Sequence, residues 1–311
     1  MFATFKLKYA KAMSISKQKS YLNTIRISNG KKFTLKKFDT LYNPKGIDKE
    51  KSELMLTEST VKLAELQDKL YAHNKHSILI IFQAMDTAGK DGAVKHVMSG
   101  LSAQGVRVSN FKVPSSNELD HDYFWRHYIE LPSRGEIAIF NRSHYENVLV
   151  TKVHPEYILN ENLPDIKSLK DINQAFWDKR YKQIKRFENN IIENGTIVLK
   201  FFLYLSKEEQ KRRLIARIDD PQKNWKFSLG DLKERAFWNE YHTAYQDMIS
   251  NTATEQSPWF IIPADNKWSA RLLISEVILQ EFSKLKINYP TVSTEQKAAL
   301  QKAKEQLLSE S

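Results

Sequence analysis

Residues 77–92, SILIIFQAMDTAGKDG, constrain the fold of this chain more than any other stretch. Ile78, Leu79, Ile80, Ile81 and Phe82 form a short, bulky run of the kind found in a parallel strand buried on both faces. A turn holding Asp86, Ala88, Gly89 and Lys90 follows, and then Ala93, Val94, Val97 and Met98 recur at helical spacing. Strand, loop and helix in that order predict a phosphate-binding loop. Its backbone N–H groups turn inward, the helix N-terminus adds partial positive charge, and Lys90 offers a mobile ammonium to phosphate oxygens. The pattern G-x-x-x-x-G-K-[ST] is met incompletely, with Ala84 at the first glycine and Asp91 at the Mg²⁺-binding hydroxyl. A plain turn opening an amphipathic helix would show the same Gly89-Lys90 pair, and the buried strand ahead of it argues against that reading.

A chain of 311 residues can bury a large core, as one large domain or two small ones. The absence of cysteine removes disulfides, thiolate nucleophiles and cysteine metal sites, and fits a reducing compartment. No apolar stretch approaches the roughly 20 residues that span a bilayer. A soluble, cytoplasmic protein with no membrane partner is expected. The net charge of +11 is unevenly placed: residues 1–38 hold ten Lys and Arg and no Asp or Glu, while the remaining 38 basic and 37 acidic residues nearly cancel. A basic arm over 1–48 on a near-neutral body can steer polyanions, or can be no more than a solvated leader. It is Lys-rich rather than Arg-rich, lacks a clear cleavage signal, and reads as part of the mature protein.

Leu54, Leu63, Leu66 and Leu70 predict an amphipathic helix over 49–74. Residues 105–111 and 136–141 read as strands, with Ser116 as the N-cap of a helix running to 129 between them. A long helix is predicted over 166–194 and a buried strand over 196–204. Ser206, with Glu209 as a capping box, then starts a helix carrying Lys211, Arg212, Arg213 and Arg217. A helix over 231–248, a strand over 259–262, a helix to about residue 282 and a charged tail helix over 294–308 follow. This alternation, with no internal repeat, predicts one doubly wound α/β domain over 49–290, after the arm and before a C-terminal tail over 291–311.

In such sheets ligands gather beyond the carboxyl ends of the strands, which puts Asn141-Arg-Ser-His-Tyr-Glu146 beside the phosphate loop. Lys90, Arg126, Arg142, Arg212, Arg213 and Arg217 then converge at one end of the sheet. Phosphoryl transfer needs such groups, because its loose transition state spreads charge over three oxygens and catalysis is mainly positioning plus cationic stabilisation. The guanidinium fork matches phosphate geometry and stays charged. A solvated helix face paired with nearby acids is the alternative for Lys211, Arg212 and Arg213. Mg²⁺ seeks hard oxygen ligands, and with no Ser or Thr after Lys90 the better carboxylate is Asp86, Asp91 serving as a first-turn acid. Asn141 stands where a P-loop enzyme presents an Asp, and its amide can hydrogen-bond a metal-bound water. The histidines show no metal-site spacing, and only His144 falls near the site, as a packing residue. Phe237, Trp238, Tyr241 and Tyr245 read as core, with base stacking the lesser option.

Six separated motifs resemble the polyphosphate kinase 2 family over nearly the whole chain. They are QAMDTAGKDG at 83–92, HDYFWR at 121–126, GEIAIFNRSHYENVLV at 135–150, the stretch from WDKRYKQI to GTIVLKFFL, EEQKRRL at 208–214 and SPWFIIPADNKW at 257–268. The resemblance implies a thymidylate-kinase-like P-loop kinase fold with a helical lid over about 207–235. It implies reversible transfer of the terminal phosphoryl group of inorganic polyphosphate to a nucleotide, with Mg²⁺ as cofactor and Mn²⁺ as an alternative. Asp86 would organise metal and acceptor phosphate, and Lys90 would neutralise the transferred group within a loop of Ala88, Gly89, Asp91 and Gly92. Asn141 and Arg142 occupy the Walker B segment. Asn141, where many members carry Asp, and Glu146, where others often carry Asn, resemble the subclass that phosphorylates AMP as well as ADP, with Tyr145 and Glu146 at the nucleotide. Arg126, Arg212, Arg213, Arg217 and Lys226 would line a track for the polyanion, whose binding weakens with salt. The implied partners are polyphosphate and adenine or guanine nucleotides, in a homo-oligomer. An ATP-dependent nucleotide kinase is the nearest alternative, and a nucleic-acid-binding module using the basic arm is a distant one.

Overall fold

Six strands form one sheet in the computed structural model, which describes residues 21–310: β1 (Arg26–Ile27), β2 (Ser77–Ala84), β3 (Val106–Asn110), β4 (Ile137–Asn141), β5 (Thr196–Tyr204) and β6 (Trp259–Pro263). Their order is β1-β6-β5-β2-β4-β3. β2 to β6 run parallel, and β1 closes one edge antiparallel to β6. Every residue of β2 is buried, as its unbroken apolar run predicts. The chain leaves β2 toward β4 and β3 on one side and later fills β5 and β6 on the other, so the carboxyl end of β2 is the topological switch point.

Alternate side chains of the strands feed two cores. Leu79, Ile81, Ala138, Phe140, Val198 and Phe202 face one layer, and Ile78, Ile80, Phe82, Ile137, Leu199 and Phe201 the other. The first layer is covered by α5 (Glu146–Val153), α6 (Gln174–Glu193) and α9 (Trp238–Thr252), through Val148, Ile184, Phe187, Tyr245 and Met248. The second is covered by α1 (Lys49–His73), α2 (Lys90–Val97) and α10 (Lys267–Ser283), through Leu63, Leu70, Ala93, Val97, Leu273 and Ile274. Burying each Leu, Ile or Phe contributes about 1.5–3 kcal/mol relative to exposure, which makes the sheet a rigid base for the loops at its carboxyl end.

Several boundaries differ from the sequence reading. The helix expected over 116–129 is two short ones, α3 (Ser116–Leu119) and α4 (Trp125–Tyr128), and Ser115, not Ser116, makes the capping box with Glu118. α6 begins at Gln174 because Asn173 caps it, accepting from Ala175 and Phe176. The helix expected over 231–248 is divided at Phe237 into α8 (Leu229–Ala236) and α9. The capping box at α7 (Lys207–Asp219) is half made: Ser206 accepts from Glu209 N–H, but Ser206 N–H donates to Asp265 and the Glu209 carboxylate turns to Arg212 and Arg213. Residues 21–48 are not an appended arm. Leu22, Ile25, Leu35 and Ile47 are buried and β1 joins the sheet, while residues 1–20 lie outside the described residues. The tail forms α11 (Thr294–Ser309), with no buried residue.

Candidate active site

The loop between β2 and α2 is held in a shape that ordinary backbone avoids. Gly89, the N-cap of α2, has φ 104°, a conformation in which a side chain is strained, and its carbonyl takes Ala93 N–H at 2.9 Å. Thr87 has φ 62°, which for a β-branched residue costs about 1–3 kcal/mol. Contacts from elsewhere hold it there. Gln210 donates to the Asp86 carbonyl at 3.1 Å, and Arg213 donates to the Thr87 and Ala88 carbonyls at 3.1 and 2.9 Å. Lys90 Nζ folds back to the Ala84 carbonyl at 2.9 Å.

β4 brings the second set of groups alongside. Its pairing sets Asn141 beside Phe82 on one side and Asn110 on the other. Asn141 Nδ2 donates to Asp91 and Asn110, each at 2.8 Å, while its Oδ1 is buried without a partner. Arg142, at φ 64°, donates to Asp86 at 3.1 Å and lies 3.7 Å from Glu146. With its amide turned so that nitrogen faces Glu146 and oxygen faces Ser143, Gln83 donates to Glu146 at 2.8 Å and accepts from Ser143 Oγ at 3.0 Å. Burial, and then the Arg142 guanidinium, hold Lys90 below the ordinary lysine value, against the pull of Asp86, Glu146 and Asp91. Burial pushes the Glu146 carboxyl up, outweighing Arg142 and Lys90, and Glu146 in turn raises Arg142.

Three cavities meet here. The largest, about 540 Å³, opens over the loop and is lined by Asp86 to Ala93, Asn141, Arg142, Arg212, Arg213, Arg217, Lys223, Lys226, Asp231, Lys267 and Arg271. A second, about 340 Å³, is mainly apolar, with Phe111, Val113, Leu119, Tyr157, Arg126, Arg142 and Glu146 in its wall. The third, about 290 Å³, also holds Arg142 and Glu146, and Asp86 with them. Arg142 borders all three.

The basic residues expected on one track have different places. Arg217 lines the cleft paired with Asp231 at 3.3 Å, and Lys226 lies beside it over Trp225. Arg212 is forked onto Glu209 with its side chain 67% exposed. Arg126 is in the second cavity rather than over the loop, against Glu118 and the Phe111 ring. Arg213 is only 6% exposed, and its donors go to protein carbonyls and Glu209. Tyr145 is wholly buried, its hydroxyl donating to Glu188 at 2.6 Å and accepting from Lys200 at 3.0 Å, so it does not reach a nucleotide. Glu146 does line both smaller cavities. The sequence reading missed Lys267 and Arg271, four apart at the start of α10. The signal was present, since they follow the last strand at its carboxyl end. Among the described residues Lys226, Lys267 and Arg271 make no ion pair within 4 Å, although Glu209 acts on Lys267 and Glu53 on Arg271 from farther off, and the cleft lining carries more basic than acidic side chains.

A parallel sheet in this order, with a glycine-lysine loop at the carboxyl end of its central strand and arginines around it, is a P-loop kinase fold. The chain belongs to the polyphosphate kinase 2 family: the family model described as Polyphosphate kinase 2 matches residues 46–290. An ADP-polyphosphate phosphotransferase of Rhodopseudomonas palustris is 45% identical over 283 residues, 91% of this chain and 97% of that protein. An AMP/ADP-polyphosphate phosphotransferase of Meiothermus ruber is 43% identical over 233 residues, 75% of this chain and 82% of that protein. A crystal structure of Polyphosphate Kinase 2 from Arthrobacter aurescens is similar with a TM-score of 0.81 at 36% identity, covering 91% of this chain and 95% of that one.

Proposed function

We propose that this protein transfers the terminal phosphoryl group of inorganic polyphosphate to AMP and ADP, reversibly. The observation that carries this reading is Arg142, which borders both the cationic cleft over the loop and the apolar cavity beside it. A linear polyanion suits the cleft, where Arg217, Lys226, Lys267 and Arg271 add to Lys90. A planar base suits the cavity walled by Phe111, Val113, Leu119 and Tyr157, with its phosphate toward Arg142 and Asp86. An acceptor phosphate oxygen attacks the terminal phosphorus, the bond to the chain breaks, and polyphosphate leaves one unit shorter. Lys90 neutralises the moving group, the loop N–H groups cradle its oxygens, and Arg142 holds acceptor and donor together.

The residues present fit a divalent ion. Asp86 offers a hard oxygen to the cleft, and the buried Asn141 Oδ1, an acceptor with no donor, suits a metal-bound water. Asp86 would hold Mg²⁺ or Mn²⁺ and Asn141 its water. When bound, the ion neutralises charge on the phosphate oxygens. Asn141 and Glu146 support use of both AMP and ADP. Among the described residues no helix is long and apolar enough to cross a membrane, and with the missing cysteines this supports a cytoplasmic enzyme. The exposed Leu300 and Leu307, seven apart on α11, support assembly as a homo-oligomer.

Donor omission tests the reading. With polyphosphate as sole phosphoryl source, AMP is expected to yield ADP and then ATP, with GMP and GDP compared alongside. A requirement for ATP as donor would overturn it in favour of an ATP-dependent kinase. Acid–base behaviour gives a second expectation. Lys90 titrates low in the free protein, so its ammonium is lost as pH rises, and the alkaline fall in kcat/KM should begin below the ordinary lysine pKa of about 10.4. Bound phosphate raises that value, so kcat should fall at higher pH than kcat/KM. Coincident limbs in the two profiles would count against Lys90 as the group that meets the phosphate.

A further inference from the structure

Arg213 lines the cleft yet has nothing left to give a phosphate. A guanidinium carries five N–H donors. Here Nε donates to Glu209 at 2.7 Å, Nη1 to the carbonyls of Thr87 and Ala88, and Nη2 to those of Ala264 and Asp265 at 2.6 and 3.1 Å. One planar group therefore joins α7, the phosphate loop and the turn after β6. In a trans peptide the carbonyl and the following N–H point in opposite directions. Fixing the Ala88 carbonyl on Arg213 thus turns Gly89 N–H away from it, and fixing the Thr87 carbonyl helps hold that residue at its positive φ.

We propose that Arg213 is a positioning residue: it sets the backbone of the phosphate loop from the root of the lid helix and does not itself bind the polyanion. The proposal deepens the functional reading above and rests on it only for the kinetic part of its test. A lysine keeps the charge but has three donors without the planar fork, so it can satisfy at most three of the five contacts.

Four forms distinguish the possibilities: wild type, Arg213→Lys, Arg213→Met and Arg217→Met. In the ligand-free protein, amide hydrogen exchange over residues 85–92 should quicken about tenfold or more in Arg213→Lys, because the loop opens more often. With polyphosphate, kcat of that variant should fall about 100-fold through misplacement while KM for polyphosphate stays within about threefold. The salt dependence of polyphosphate binding should be unchanged in Arg213→Met, whereas Arg217→Met should lower its slope by about one. Should the methionine variant not fold, the lysine variant alone decides. Wild-type loop exchange in Arg213→Lys overturns the proposal, as does a salt slope in Arg213→Met reduced like that of Arg217→Met. Failure of the wild type to use polyphosphate speaks against the function, and the exchange measurement still decides the role of Arg213.

Discussion

Lys90→Ala is expected to lower polyphosphate-dependent phosphorylation of AMP by on the order of 10³ or more while leaving the fold intact. Lys90 stands at the first position of α2, at the floor of the cationic cleft, with its ammonium 2.9 Å from the Ala84 carbonyl. Its removal frees one carbonyl at a cost of about 1 kcal/mol, small against a sheet with two full cores. What it takes from the reaction is a charge that a fixed, partly dehydrated loop needs no reorganisation to supply. Asp86→Ala should behave alike, with the added mark that rate no longer depends steeply on divalent ion. Single-turnover ADP formation and a thermal melt of each variant check both halves. Near-normal transfer by either protein would sink the assignment.

Lys200→Met is expected to cost about 3–5 kcal/mol of stability, because it strands a buried charge. Lys200 lies wholly buried in β5 and spends its three donors on Glu188 at 2.7 Å, Tyr145 Oη at 3.0 Å and the Thr252 carbonyl at 3.0 Å. Glu188 also accepts from Tyr145 and from Ser257 at 2.7 Å. Burial alone would raise the Glu188 carboxyl, but Lys200 and the neighbouring His144 hold it down to about 2. A folded pKa below the ordinary 4.5 gives stability that is present above that value and lost as pH falls toward 2. The variant has the opposite sign. Without the ammonium, burial raises Glu188, so the deficit should be largest above that raised value and shrink as pH falls from it to the ordinary 4.5. Denaturant unfolding at pH 7 and pH 4 measures it, and a deficit that is equal or larger at pH 4 would refute this account. Adding Glu188→Leu to Lys200→Met should recover most of the loss.

These two expectations mark what the sequence shows and what it hides. The run 78–82 and the Gly89-Lys90 pair disclose the central strand and the loop, because both depend on residues adjacent in the chain. Tyr145 stands in a polar hexapeptide that looks like a rim, yet its partners Glu188 and Lys200 lie 43 and 55 residues away. A lysine inside TIVLKFFLY was the available clue, since a charge in a buried strand must find a partner. Arg213 is similar: on a charged helix it reads as a solvated or ligand-facing cation, and only the return of the 87–88 and 264–265 carbonyls to one point reveals its place. The charge of residues 1–38 masked the apolar side chains at 22, 25 and 35, which with Ile47 bring the segment from residue 21 onward into the body. The break at 120–124 is a turn in which the Asp122 side chain accepts from Phe124 N–H, and the one at Phe237, at φ −85° and ψ 28°, is not recorded by periodicity.

Arg142 makes the two chambers electrically dependent. Its single guanidinium already balances Asp86 and Glu146, and any anion entering the loop cleft or the apolar cavity draws on that same positive charge. Two guests that share one counter-ion feel each other without touching. By linkage, whatever the first does to the affinity of the second, the second does equally to the first. The wall between the chambers is therefore also the wire between them.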